Sequence, residues 1–311
     1  MSTSTAFIFP GQGSQSVGML ADIADVEPVV NETLVEASDV LGFDLRNMIL
    51  NGPAEQLNST QNTQPALLAG SIALWRLWSA RGGQVPAYVA GHSLGEYSAL
   101  VAAGVIEFAD AVRIVHNRGL YMQEAVPQGE GAMAAVLGLD DDKVIALCAE
   151  TAHPGEVLSA VNFNSPGQVV IAGSASAVKR AVETFSAAGA RKVMPLPVSV
   201  PSHCALMEPA AVRLEQDLAG ITFSVPQIPV VQNVSAAIVT DVNALRANLV
   251  DQLSQPVRWV ESVQLMIANG VDQFYECGPG KVLAGLSKRI DRSATVTPLE
   301  SLSAFPMVGE G

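Results

Sequence analysis

Ala87-Tyr88-Val89-Ala90 reads as a short strand, and it runs without a spacer into Gly91-His92-Ser93-Leu94-Gly95. Glu96–Ala103 then reads as a helix of small residues, closed by Gly104. A chain that passes from strand to helix in so few residues must turn sharply. The residue at the apex is forced into a strained conformation, and the flanking glycines let neighbouring segments approach. Ser93 sits at that apex, and its hydroxyl would stand at a helix N-terminus, where free N–H groups favour developing negative charge. The plainer reading of Ser93 is a helix cap; the strand before it and the helix after it favour a nucleophile elbow.

The rest of the chain fits around this turn as an α/β protein. Of 311 residues, 49% are hydrophobic and 15% are charged, a profile of tightly packed α/β enzymes. That length suits one large domain plus an insert. Phe7-Ile8-Phe9 reads as a buried strand stopped by Pro10-Gly11-Gln12-Gly13. Thr63-Gln64-Pro65 reads as the start of a mostly apolar helix over Ala66–Ala80, and Asp110–Gln123 as a further helix. From Gly131 to Pro195 the order is β-α-β-β-α-β, with Asn164-Ser165-Pro166-Gly167 as a hairpin turn, which matches a ferredoxin-like unit. The expected division is a large domain of residues 1–128 and 198–311 and an inserted small domain of residues 129–197. Residues from about Ser301 read as a weakly ordered tail.

A serine at its free pKa needs a base. The chain has four histidines: His92, His116, His153 and His203. His92 adjoins Ser93 and should point away from it; His116 lies within a helix; His153 precedes Pro154 in an exposed turn. His203, in Val200-Pro201-Ser202-His203-Cys204 where the chain re-enters the large domain, is taken as the base by elimination and context. The N–H of Leu94 follows the nucleophile in the position of an oxyanion donor, and a second donor fits the Pro10–Gly13 loop. That loop is no dinucleotide fingerprint, because Ser16 stands where GxGxxG needs glycine.

Seventeen Lys and Arg against thirty Asp and Glu leave a net charge of −13, which argues against nucleic-acid binding. Three widely spaced cysteines, without CxxC, argue against a disulfide framework or a structural zinc. No signal peptide or membrane-spanning run is read, so the expectation is a cytoplasmic protein that uses neither membrane nor nucleic acid.

Phe9-Pro10-Gly11-Gln12-Gly13-Ser14-Gln15, Gln64-Pro65-Ala66, Gly91-His92-Ser93-Leu94-Gly95-Glu96, Arg118-Gly119, Met122-Gln123, Pro201-Ser202-His203 and Gly278-Pro279-Gly280 occur in an order that resembles one family. It is the malonyl-CoA:acyl carrier protein transacylases of bacterial type II fatty-acid synthesis, and the similarity runs from about Phe7 to Ile290. The resemblance implies an α/β-hydrolase-like large domain with a ferredoxin-like insert. It implies that Ser93 is acylated, that His203 is the general base, and that the N–H groups of Gln12 and Leu94 form the oxyanion hole. It implies that Arg118 binds the malonyl carboxylate; on helix position alone, the favoured reading of Arg118 is an anchor of its helix to an acidic neighbour. Gln252 would orient His203 through its backbone carbonyl, and Gln252, Asn162, Met122 and Gln64 would contribute to the substrate site. Malonyl-CoA is then a substrate, no cofactor or metal is required, the partner is acyl carrier protein, and the chain is expected to be a monomer.

Carrier proteins are acidic, so a local basic patch must override the net charge. Candidates are Lys281, Lys288, Arg289 and Arg292 near the C-terminal helix, and Lys179, Arg180, Arg191 and Lys192 on the insert. Rival readings are a thioester hydrolase with the same serine and histidine, the malonyl transferase of malonate decarboxylase, a free-standing polyketide acyltransferase, and a non-catalytic scaffold.

Overall fold

The computed structural model describes residues 4–198 and 200–306. Among them are ten strands: β1 (Thr5–Phe9), β2 (Tyr88–Gly91), β3 (Gly131–Leu137), β4 (Leu158–Ser165), β5 (Gln168–Ser174), β6 (Lys192–Pro195), β7 (Val230–Gln232), β8 (Ala237–Val239), β9 (Gln273–Glu276) and β10 (Thr295–Pro298). They form two sheets.

The larger sheet has the order β10-β9-β1-β2-β7-β8 and is parallel except where β8 pairs antiparallel with β7. A parallel sheet is covered on both faces, so its strands read as continuous apolar runs. In β1, Phe7 and Phe9 face one cluster, built with the helices Pro28–Leu41, Thr60–Ala80 and Phe108–Ala125. Ala6 and Ile8 face the other, with Trp259, Val263 and Leu283. Side chains alternate along a strand, so two adjacent residues serve two different cores.

The smaller sheet has the order β4-β5-β3-β6 and is antiparallel throughout. Its helices Asp141–Thr151 and Ala175–Ala187 cover one face, over Ala134, Val136, Val169 and Ile171. The other face carries Met133, Val161, Val170 and Ala172 and packs against Cys204 of the larger unit. This is an α/β-hydrolase-like sheet with a ferredoxin-like unit inserted in it. Among the described residues no helix is long and apolar enough to cross a membrane.

Four features depart from the sequence reading. The apolar helix begins at Thr60, a turn before Thr63, and carries Pro65 inside it. Proline has no N–H to give the carbonyl four residues back; His116 Nδ1–H donates to that Gln61 carbonyl instead, at 2.9 Å. Helices at Ala21–Ala24, Leu45–Asn51 and Ala54–Leu57 are too short to show a clear period. The two edge strands of the larger sheet, β8 and β10, were not expected either; β10 ends in Pro298, which edges tolerate. Finally, Ser301–Pro306 is no loose tail. Phe305 is buried, 6.5 Å from the Trp78 ring and 5.9 Å from the Arg81 guanidinium. The remainder of that expected tail, residues 307–311, lies outside the described residues.

Candidate active site

β2 ends at Gly91, the helix Gly95–Ala102 begins four residues later, and Ser93 lies between them at φ 51°. Positive φ costs a residue with a Cβ about 1–3 kcal/mol and persists only where the surroundings impose it. The glycines explain how the turn closes. A Cβ at Gly91 would lie 1.9 Å from the Gly95 carbonyl carbon, and one at Gly95 would lie 2.0 Å from the Phe9 oxygen. The Asn233 side chain ties the turn from outside. Its Oδ1 accepts from Ser93 N–H at 2.7 Å, and its Nδ2 donates to the Gly91 carbonyl at 2.6 Å.

His203 reaches this serine from the segment that returns from the small sheet. Its Nδ1–H donates to the Gln252 carbonyl at 2.6 Å. A carbonyl can only accept, so the proton is fixed on Nδ1 and Nε2 is left with its lone pair. The Ser93 hydroxyl lies 2.8 Å from that Nε2 and donates to it. His203 also has a positive φ of 66°, with its N–H on the Leu253 carbonyl at 2.9 Å. Burial, and then the charge of Arg118, pull the imidazole pKa from 6.5 down to about 3; the Gln252 carbonyl works the other way. The imidazole is a weak base here because of burial and a neighbouring cation.

Arg118, on the helix Phe108–Ala125, is 1% exposed. Its Nη1–H donates to Gln64 Oε1 at 2.8 Å, and its Nη2–H to Gln252 Oε1 at 3.1 Å and toward Ser93 Oγ at 3.4 Å. The Tyr97 ring lies 5.6 Å from the guanidinium. Its side-chain hydrogen-bond acceptors are thus neutral amides and a hydroxyl, not the acidic neighbour that a simple anchor would use. Buried cations normally pair with an anion. This one is oriented by amides and keeps its charge for something that enters the cleft.

That cleft, about 630 Å³ including its mouth, is lined by Ser93, His203, Arg118, Gln12, Leu94, Met122 and Asn162, among others. Gln64 and Gln252 sit behind Arg118 rather than on the cleft wall; Gln64 Nε2 donates to Met122 Sδ at 3.5 Å. Asn162 lies at a bulge in β4 beside Val257, and its Oδ1 is buried without a hydrogen-bond partner. His92 Nε2–H donates to Asn164 Oδ1 at 2.7 Å, so its ring is held to β4 and away from the Ser93 hydroxyl. His153 lies far along the small unit, where its N–H donates to Glu156.

Sequence reading missed Asn233. It follows the buried Val230-Val231 run, and the C-terminal ends of strands beside the central one are where α/β sheets place their sites. That position was the available signal. Glu96 stood within a quoted motif but had been given no role.

A strained serine at a strand–helix turn, an imidazole accepting its proton and an amide-held guanidinium in one cleft define a class: enzymes that carry an acyl group on serine. The chain belongs to the acyl transferase domain family, whose model matches residues 6–302. It is 59% identical over 303 residues to the malonyl CoA-acyl carrier protein transacylase of Escherichia coli, covering 97% of this chain and 98% of that one. The structure of the malonyl CoA-acyl carrier protein transacylase of Coxiella burnetii superposes with a TM-score of 0.96 at 48% identity, covering 98% and 96% of the two chains. A malonyl-transacylase solved with a type II polyketide acyl-carrier protein gives 0.95 at 54% identity, covering 97% of each.

Proposed function

We propose that Ser93 carries a malonyl group from coenzyme A to the phosphopantetheine thiol of acyl carrier protein, and that this supplies the extender unit for fatty-acid synthesis. The observation that carries the reading is the convergence of Ser93, His203 and a carboxylate-free Arg118 on one cleft.

In the first half-reaction, Ser93 Oγ bonds to the thioester carbonyl carbon while its proton passes to His203 Nε2. The tetrahedral oxyanion forms beside Gln12 and Leu94, whose N–H groups are assigned to stabilise it; losing one such donor typically costs about 10²–10³ in rate. A Cβ at Gly11 would lie 2.5 Å from the His92 carbonyl oxygen, so glycine there lets the Gln12 loop sit against the elbow. Collapse expels the coenzyme A thiolate, which takes the proton from His203. In the second half, the carrier thiol gives its proton to His203 and attacks the serine ester. The carbonyl–Oγ bond breaks, and Ser93 recovers the proton. Every proton and charge in this cycle is handled by the chain's own groups, with no metal or redox cofactor.

Arg118 is assigned to the malonyl carboxylate, which a planar guanidinium can pair through both oxygens. Gln64 and Gln252 hold the guanidinium, with Met122 beside them. Asn162 is assigned to the acyl-thioester arm, as a polar side chain among the residues that line the cleft. We place the division between the two units at residues 129–197 for the insert and the rest for the catalytic unit. Among the cations considered for carrier docking, Arg180 is held by Glu156 and Thr151, and Arg289 donates to Gln168. Lys281, Lys288 and Arg292 near the C-terminal helix and Lys179, Arg191 and Lys192 on the insert remain as candidate docking charges.

The second reading, service to a polyketide carrier, is favoured by one observation: a 54%-identical relative was solved with such a partner. Intact-mass measurement after mixing with malonyl-CoA tests acyl transfer. One malonyl group per chain on Ser93, with coenzyme A release that bursts and then stalls until carrier is added, is expected. Continuous hydrolysis without carrier would identify a thioesterase instead.

A further inference from the structure

Ser93 does not hold its conformation alone. Asn233 grips the turn on both sides, through the Ser93 N–H and the Gly91 carbonyl. Asn233 is itself gripped by Glu96, whose Oε2 accepts the Asn233 backbone N–H at 2.7 Å. Glu96 Oε1 accepts from Gln232 Nε2 at 3.0 Å, and Gln232 is tied onward to the Leu245 carbonyl and to Asn248. Glu96 lies on the same helix as the elbow, one turn past Ser93, and is fully buried. The result is a closed loop from Ser93 along its helix to Glu96, across to Asn233 and back to Ser93. Gln252 joins it, donating through Nε2 to the Ser93 carbonyl at 3.1 Å while its Oε1 takes Arg118.

We propose that Glu96 and Asn233 are positioning residues that hold Ser93 in its reactive conformation, and that the carboxylate form of Glu96 is the one that does so. Both Glu96 oxygens already face N–H donors. A proton added to either leaves one full acceptor for two donors, and the Asn233 peptide loses its fixed place. The inference rests on Ser93 being the acylated residue.

A buried carboxylate without a cation in direct contact is close to its protonated state. Desolvation lifts Glu96 from 4.5 to about 7, against the hydrogen bonds from Asn233 and Gln232 and the nearby charge of Arg118. The titratable groups facing it are Arg118 from the helix Phe108–Ala125 and Tyr97 on its own helix; from β7 and Gln252 it meets amides. His203 titrates far lower, near 3. An acid-side loss of acylation near neutrality is expected from Glu96 rather than from the base, and the Glu96→Gln profile separates it from Glu276, which burial raises into the same range.

The test is the single-turnover rate of malonyl-CoA loading on the full chain, followed by intact mass between about pH 8.5 and about pH 5.5. Wild type should lose rate below about pH 7. Glu96→Gln and Asn233→Ala should load roughly 10²-fold more slowly, as expected for a misplaced reacting group. Their half-saturating malonyl-CoA should stay near wild type, since Arg118 is untouched. Glu96→Gln should also lose the acid-side decline, and Glu96→Asp should keep one. The proposal is overturned if wild type is flat across that range, if either variant loads within about twofold of wild type, or if Glu96→Gln keeps the wild-type decline. Should Glu96→Gln fail to fold, Asn233→Ala decides: a lower maximal rate at unchanged half-saturation supports the strap, and a loss confined to half-saturation overturns it. Wild type that carries no label on Ser93 would instead sink the functional reading itself.

Discussion

The two walls of the cleft are built on different terms. On the parallel-sheet side, the polar groups are tied into one network, Ser93 to His203 and Asn233, Arg118 to Gln64 and Gln252, Gln252 to Ser93, with Arg118 Nε and the Tyr97 hydroxyl left buried and unpartnered. On the small-sheet side, the lining is Met133 and Leu196, with Val198 packed beside them and Asn162 Oδ1 buried and unpartnered. A connected network holds one geometry, which covalent chemistry needs, because reacting atoms must be placed to within a fraction of an ångström. An apolar wall with one unfilled acceptor excludes water and waits for a donor on the incoming molecule. The contrast assigns reaction to one sheet and accommodation to the other, and substitutions on the two walls should differ accordingly.

The largest effect belongs to the reacting atom. Ser93→Ala should show no covalent malonyl group by intact mass, while folding and thermal midpoint are kept or improved, since alanine removes no tertiary contact beyond the hydroxyl's. A labelled Ser93→Ala chain would move the nucleophile elsewhere. Arg118→Ala comes next. Removing one partner of a buried ion pair costs about 3–5 kcal/mol, a factor of hundreds or more. Malonyl loading should fall by that factor, and acetyl-CoA should gain in relative terms because its methyl group no longer leaves a buried cation unpaired. Equal losses for both donors would mean that Arg118 supports the fold and reads no carboxylate.

Much of this committed wall was legible from local patterns. Gly91-His92-Ser93-Leu94-Gly95 announces a turn because only glycine fits at both ends, and the structure gives the clash that any Cβ would cause. The βαββαβ order predicted the small antiparallel sheet because alternating apolar residues and a Pro-Gly turn are local signals. What stayed hidden was tertiary. Nothing within a few residues of Asn233 says that its amide closes on a serine 140 positions earlier. Pro65 suggested a helix start because proline is welcome in a first turn, and only the His116 ring, from another helix, makes an interior proline acceptable. Phe305 looked like tail because the ring that buries it, Trp78, comes from the far half of the chain.

Stability against pH should carry the signature of the same committed wall. His203 is neutral in the folded state down to about pH 3 but takes a proton near 6.5 when unfolded. Between those values the unfolded chain binds more protons, so this group's contribution is complete above about 6.5 and is lost as pH falls toward 3. Glu96 and Glu276, both raised from 4.5 to about 7, act oppositely and add stability as pH falls from 7 to 4.5. Two carboxylates outweigh one imidazole between about pH 6.5 and 4.5, so the net contribution of these three groups rises there; below about 4.5 the histidine loss is joined by that of Glu156, whose carboxylate is held down to about 2 by Arg180. Urea unfolding of His203→Asn beside wild type should show the difference in stability shrinking below pH 6.5, by at most about 1.4 kcal/mol per pH unit. A difference that is constant with pH would mean that His203 titrates normally in the folded chain.

The smallest effect should come from the accommodating wall, and it separates the two walls most directly. Asn162→Ala removes an amide that gives up no partner on its Oδ1, so the free protein should lose little and could gain slightly in thermal midpoint, unlike a cut in the Asn233 strap. With substrate bound, the same change removes one hydrogen bond of about 1 kcal/mol, a few-fold in kcat/KM. The loss should appear for malonyl-CoA and acetyl-CoA alike if, as proposed, Asn162 serves the thioester arm and Arg118 the carboxylate. If Asn162→Ala instead discriminates between the two donors as strongly as Arg118→Ala does, the small sheet takes part in reading the acyl group. The division of labour between the two sheets would then be wrong.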